Sequence, residues 1–127
     1  MAKILEFLHT SILVSDLVKA RMFSEDVLGL EPNPNRPAMS FDGIWYDIGA
    51  QQIHLLALPN PDRDAIRPEH GGRDRHIALG VSDLTGLRKT LEQAGIPYTL
   101  SKSGRSALFC RDPDGNALEL VEMGLAS

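Results

Sequence analysis

The stretch Arg75-His76-Ile77-Ala78-Leu79-Gly80-Val81-Ser82-Asp83-Leu84 has a near copy 67 residues earlier, Leu8-His9-Thr10-Ser11-Ile12-Leu13-Val14-Ser15-Asp16-Leu17. The chain is therefore an internal duplication, and its fold is to be read as one unit used twice. Each copy begins as a strand with a histidine near its start. Each then runs into Val-Ser-Asp-Leu, where Ser15 or Ser82 is expected to cap a helix that starts at once.

Working outward, residues 4–14 read as a strand, with His9, Ser11 and Leu13 on one face and the more apolar Thr10, Ile12 and Val14 on the other. Residues 16–28 read as a helix with Leu17, Ala20, Phe23 and Val27 on one stripe, closed by Gly29. Pro32, Pro34 and Pro37 withhold backbone donors and mark an irregular edge or loop. Residues 43–48 and 51–58 form a hairpin across Gly49-Ala50, and residues 59–72 form a proline-, glycine- and charge-rich linker too polar for the core.

The second half repeats the plan. A strand over 75–81 leads to a helix over 83–94 with Leu84, Leu87, Leu91 and Ala94 on one stripe and Gly95 at its end. Strands follow over 97–102, 105–111 and 116–122, the last two joined by Asp112-Pro113-Asp114-Gly115, a turn with proline presetting φ and glycine tolerating positive φ. The expected fold is α+β: two tandem βαβββ modules, about 4–58 and about 74–123, joined by a linker over 59–73 within a single domain spanning 1–127. Neither module can bury its inner sheet face alone. The two are expected to form a curved mixed sheet with a concave metal-binding cleft and helices on the outside.

Composition narrows the function classes. A hydrophobic fraction of 43% and a charged fraction of 24% are those of an ordinary globular protein. The net charge of −4 argues against nucleic acid, which attracts basic surfaces, and no apolar run is long enough to span a bilayer. The single cysteine, Cys110, cannot form an intramolecular disulfide and reads as a small core residue, in keeping with a cytoplasmic location.

Aligning the halves on their Ser-Asp-Leu runs also aligns their last strands. His9 to His54 spans 45 residues and His76 to Glu119 spans 43. One histidine in a strand carries little information, but His9, His54, His76 and Glu119 match across the repeat, and three imidazoles with one carboxylate form a metal-ligand set. Glu119 lies among leucines, where a buried carboxylate must be paired or metal-bound. His70 falls in the linker, outside the set. Ser11, Ala78 and Gly80 are small and would leave room above the ion. Phe41, Trp45, Tyr46 and Phe109 lie in the strands that should wall the cleft, with core packing the role of at least half of them. Arg63, Arg67, Arg73, Arg75 and Arg105 are the arginines able to grip an anionic substrate group, although Asp62, Asp64, Glu69 and Asp74 interleave with those of the linker as on a solvated mixed-charge surface. Arg75, directly before His76, is the first candidate, and Trp45 and Phe109 are the candidate aromatic contacts.

These motifs resemble those of the vicinal oxygen chelate superfamily, which includes glyoxalase I, bleomycin- and fosfomycin-resistance proteins and extradiol dioxygenases. The matching pieces are His9 with its Val-Ser-Asp-Leu, Asp26-Val27-Leu28-Gly29-Leu30, Gln52-Ile53-His54-Leu55, Arg75-His76-Ile77-Ala78-Leu79, and Asp112-Pro113-Asp114-Gly115-Asn116 leading to Glu119-Leu120. The resemblance implies one divalent metal ion per site, zinc, nickel, iron or manganese, on His9, His54, His76 and Glu119. It also implies a homodimer with sites shared between chains, and a small-molecule substrate with vicinal oxygens. The chemistry expected of a short glyoxalase I-like member is that of a lyase or isomerase passing through an enediolate or oxyanion, with Glu119 as the catalytic base. The alternatives are an Fe(II) oxygenase on His9, His76 and Glu119, and a non-enzymatic drug-binding protein. The sequence departs from glyoxalase I at His54, where that enzyme carries a glutamate, which leaves one carboxylate for proton transfer.

Overall fold

The computed structural model describes residues 1–124 and divides into two compact units, Met1–Pro61 and Asp62–Ser127. The first contains β1 (His9–Leu13), α1 (Leu17–Arg21) running into a π-helical stretch (Met22–Val27), β2 (Glu31–Pro32), β3 (Gly43–Ile48) and β4 (Gln51–Leu56). The second contains a 3₁₀ turn (Gly71–Arg73), β5 (His76–Val81), α2 (Leu84–Gln93), β6 (Tyr98–Leu100), β7 (Ala107–Arg111) and β8 (Ala117–Glu122). Each unit has its own four-stranded mixed sheet, ordered β1-β4-β3-β2 and β5-β8-β7-β6. In both, the first strand pairs in parallel with the last and the other pairs are antiparallel. The parallel pair requires a crossover, which the helix and the outer strands supply.

Strand alternation sorts the side chains in the same way twice. Ile12 lies opposite Leu55, which lies opposite Ile44, while Thr10 lies opposite Ile53, which lies opposite Tyr46. Ile44, Tyr46, Ile53 and Leu55 are buried together with Val14, Ala20 and Phe23, so this face is the core of the first unit. In the second unit Leu79, Leu120 and Leu108 lie in line, as do Ile77, Leu118 and Cys110, and Leu84 and Leu91 of α2 are buried with them. Cys110 is a free, buried thiol, and burial pushes its pKa up to about 12, so it serves as a core side chain and not as a nucleophile.

Several local expectations are corrected. The N-caps are Asp16 and Asp83, one residue later than the serines: Asp16 accepts from the Lys19 amide at 3.1 Å and Asp83 from the Gly86 amide at 2.9 Å. A carboxylate at the helix start also complements the helix dipole, which favours aspartate over serine. The first strand starts at His9 and not at residue 4, because its partner β4 starts at Gln51, just after the Gly49 turn, and the pairing with β4 begins at the Leu8 carbonyl, which accepts from the Gln52 amide at 3.1 Å. The helix expected over 16–28 widens after Arg21, where Leu28 N–H donates to Phe23 O at 3.1 Å, an i to i−5 bond. This wider turn places Glu25 to accept from both Arg21 Nε at 2.6 Å and the buried Tyr46 hydroxyl at 2.8 Å. The linker is also less separate than its polarity suggested. Gly71 is buried, and a Cβ on it would come within 3.2 Å of Phe109 and 3.4 Å of Ala117, so this segment lies over β7 and β8.

Candidate functional site

The register reproduces the repeat around the four candidate ligands. His9 pairs with Gln52, two residues before His54, and His76 pairs with Ala117, two residues before Glu119. His54 lies between Ser11 and Trp45, and Glu119 lies between Ala78 and Phe109. His54 and Glu119 are therefore equivalent positions, as are His9 and His76. Because side chains alternate, each pair emerges on the sheet face opposite the core. Among the described residues, no group of three or more His, Cys, Asp or Glu side chains is gathered as a metal site would need. The donors stand as two pairs, one in each unit.

In the first unit His54 is buried and sandwiched. Its ring stacks on Trp45 at 4.2 Å and on His9 at 4.0 Å between centroids. Its Nε2–H donates to the Gln52 side-chain carbonyl at 2.8 Å. The Gln52 amide in turn donates to Asp47 at 2.9 Å, and the same carboxylate accepts from Asn33 at 3.1 Å. This chain fixes the tautomer and leaves Nδ1 of His54 as the lone-pair nitrogen. Desolvation, with His9 and Arg36 nearby, holds the His54 pKa below its ordinary value and favours the neutral, ligand-competent imidazole. Stacked rings direct their lone pairs side by side and not at one point, so joint binding of an ion by His9 and His54 requires one ring to turn. Leu8, His9, Met39, Trp45, Gln52 and His54 are among the residues lining a cavity of about 530 Å³.

The second pair is already aimed. His76 Nδ1–H donates to the Asp74 carbonyl at 2.8 Å, which turns Nε2 toward Glu119 Oε1 at 3.5 Å. A ring nitrogen facing a carboxylate holds a proton or a cation between them, and anchoring of the distal histidine nitrogen to a carbonyl is the arrangement that orients metal-binding histidines. The donor chemistry of this pair fits a divalent ion. Glu119 is 5% exposed, and its other oxygen accepts from Arg105. Phe109 stands edge-on to His76 at 5.3 Å. Asp74 is itself clamped by Arg111 at 2.8 Å and Arg67 at 3.4 Å. The Arg111 hydrogen bond is the main reason its carboxyl lies below the usual range.

Other candidates lie elsewhere. Arg75 points its guanidinium at Asp62, 3.0 Å away, and is 64% exposed, outside the lining of the cavity beside Glu119. Arg105 lines that cavity instead. Gly80 leaves no open room, because the Met123 side chain fills the space a Cβ would need. His70, set aside as a linker residue, lines the cavity with His76 and Glu119 and lies 5.0 Å from the Phe109 ring. Its Nδ1 accepts from the Gly72 amide at 3.0 Å and its Nε2–H donates to the Leu100 carbonyl at 3.3 Å, so both nitrogens are engaged and it walls the cavity without being a ligand. No local sequence signal pointed to His70, which reaches its place through a loop, and nothing local ranked Arg105 above the other candidate arginines.

Comparison with known proteins bears on the family and the fold. The family described as Glyoxalase/Bleomycin resistance protein/Dioxygenase superfamily matches residues 6–120. A lactoylglutathione lyase from Haemophilus influenzae is 30% identical over 93% of this chain and 93% of its own length. A protein named Glyoxylase I 4 from Arabidopsis thaliana is 30% identical over 88% of this chain and 67% of its own length. The solved structure of a lactoylglutathione lyase from Agrobacterium tumefaciens superposes with a TM-score of 0.63 at 23% identity, covering 92% of each chain, which shows a common fold. On sequence and fold together, the chain belongs to the glyoxalase/bleomycin resistance protein/dioxygenase superfamily.

Proposed function

We propose that this chain is a divalent-metal-dependent lyase or isomerase of the glyoxalase I type, acting on a small molecule with two neighbouring oxygens. The observation that carries the reading is the pair His76 and Glu119, a ring nitrogen and a carboxylate oxygen 3.5 Å apart with the histidine anchored through its far nitrogen. The lactoylglutathione lyases among its relatives support the same reaction class. His9, His54, His76 and Glu119 would hold the ion, which supplies Lewis-acid polarisation of the substrate oxygens when bound.

The chain's own residues account for the rest. Glu119 is the proton carrier: it takes a proton from the carbon beside a carbonyl and returns it to the former carbonyl carbon while the hydroxyl proton passes from the first oxygen to the second, an isomerisation that consumes nothing. The buried Phe109 and the half-buried Trp45 wall the pairs and limit water. With His54 in place of a second carboxylate, both proton transfers fall to Glu119. The ligands come from both units, and the assembly this reading carries is a homodimer in which one protomer's first unit meets its partner's second. The proposed compartment is the cytoplasm, where the free Cys110 stays reduced. No helix among the described residues is long and apolar enough to cross a membrane.

Zinc-, nickel-, manganese- and iron-loaded protein should be incubated in D₂O with thiol adducts of α-ketoaldehydes. Deuterium incorporation or turnover with at least one metal is expected. Bound metal without exchange or turnover on any adduct would sink the reading.

A further inference from the structure

The cavity beside Glu119 has a volume of about 580 Å³, and its lining is unbalanced in charge. Arg73, Lys102 and Arg105 are permanent cations, Glu119 is the carboxylate, and Ser101 and Ser103 add hydroxyls. All of these lie in the second unit. Arg73 and Lys102 are exposed and make no ion pair with any described residue. Arg105 is 57% exposed, follows Gly104 at φ +84° in the loop between β6 and β7, and holds Glu119 Oε2, while Glu119 Oε1 faces His76. The buried carboxylate is thus shared between a surface guanidinium and a position suited to a metal.

We infer that Arg105 is an exchangeable counter-ion: it neutralises Glu119 in the metal-free chain, and metal binding releases it to join Arg73 and Lys102 in gripping an anionic group of the ligand. The inference rests on the metal-dependent reading above and adds the ligand's class, a carboxylate or phosphonate. A divalent charge on Oε1 repels the guanidinium a few ångströms away, and once Glu119 is neutralised by metal it no longer compensates the cavity's cations. The cavity then favours an anion, and a planar guanidinium can hold a carboxylate or phosphonate with two parallel hydrogen bonds. By linkage, whatever the metal adds to anion affinity the anion must add to metal affinity.

The test measures Zn²⁺ affinity by competition with a chromophoric chelator, with and without a probe anion, in wild type and in Arg105→Ala. Methylphosphonate followed by ³¹P NMR and acetate followed by saturation-transfer ¹H NMR form the two arms and separate phosphonate from carboxylate. Without anion, Arg105→Ala should bind Zn²⁺ about threefold more tightly, the modest size reflecting a solvent-exposed partner. In wild type, Zn²⁺ should strengthen binding of at least one anion, and this coupling should exceed that in Arg105→Ala by about fivefold, with Arg105→Lys between the two. Unchanged or weaker Zn²⁺ binding in Arg105→Ala, or equal coupling in both proteins, overturns the inference and leaves the metal-dependent reading standing. Absence of Zn²⁺ binding from both proteins overturns both.

Discussion

The two units place equivalent residues in opposite physical settings. In the first, His54 is held by rings and amides: Trp45 and His9 stack on it, and the Gln52, Asp47 and Asn33 relay fixes its tautomer. In the second, Glu119 is held by charge, with Arg105 on one oxygen and His76 near the other, beneath a linker segment that buries Phe109. Duplication conserved the positions and let their chemistry diverge. The matching position carries an imidazole in the first unit and a carboxylate in the second, and on the proposed reading only the second is the group that moves a proton.

Equivalent substitutions in the two halves test that division. The largest effect is expected at Glu119: Glu119→Gln should lower proton exchange in the metal-loaded protein by at least ~100-fold, the ordinary worth of a positioned general base. His54→Gln at the matching position should weaken metal retention but leave exchange measurable once metal is saturating. Equal loss in both would erase the distinction between base and ligand. Next come the aromatic neighbours. Phe109→Ala removes a ring that is 7% exposed and should cost about 3–4 kcal/mol in denaturant unfolding, whereas Trp45→Ala, at a half-buried position, should cost less. A reversed order would show the first unit's stack to be the tighter one.

Arg111→Ala should cost about 2 kcal/mol, because it leaves Asp74 with the longer Arg67 pair and the Arg75 amide and removes bonds to the Gly115 and Pro68 carbonyls. Chemical-shift changes should extend to the His76 ring, which Asp74 anchors through its carbonyl.

The smallest effects concern pH and have opposite signs in the two units. Glu25, hydrogen-bonded by Arg21 and also by Tyr46, has a pKa below its ordinary value. Its stabilising contribution is present above about pH 4.5, the unperturbed value, and is lost as pH falls through the depressed one. Asp112 has its pKa raised by burial, despite hydrogen bonds from Asn116 and Asp114. Its contribution is complete below the ordinary value of 3.8 and declines as pH rises through the raised one. Glu25→Gln should therefore destabilise most at neutral pH and Asp112→Ala most in acid, as measured by thermal unfolding across pH 3–7. Parallel pH profiles for the two variants would contradict this.

The sequence alone determined the duplication, the order of strands and helices, and the four candidate ligands, because strand alternation and the repeat offset are one-dimensional patterns that survive without coordinates. Even there, local chemistry went to the more strongly charged competitor: aspartate and not serine capped both helices. Tertiary structure decided what a linear pattern cannot carry. His70 and Arg105 reach the cavity beside Glu119 through loops, and Arg75, adjacent to His76 in sequence, turns away to Asp62. Met123 closes the space that Gly80 was expected to leave open. Which hydrogen of each imidazole is committed, and so which nitrogen remains for a metal, depends on carbonyls two residues away in a folded strand or turn, and only the fold places those carbonyls within reach.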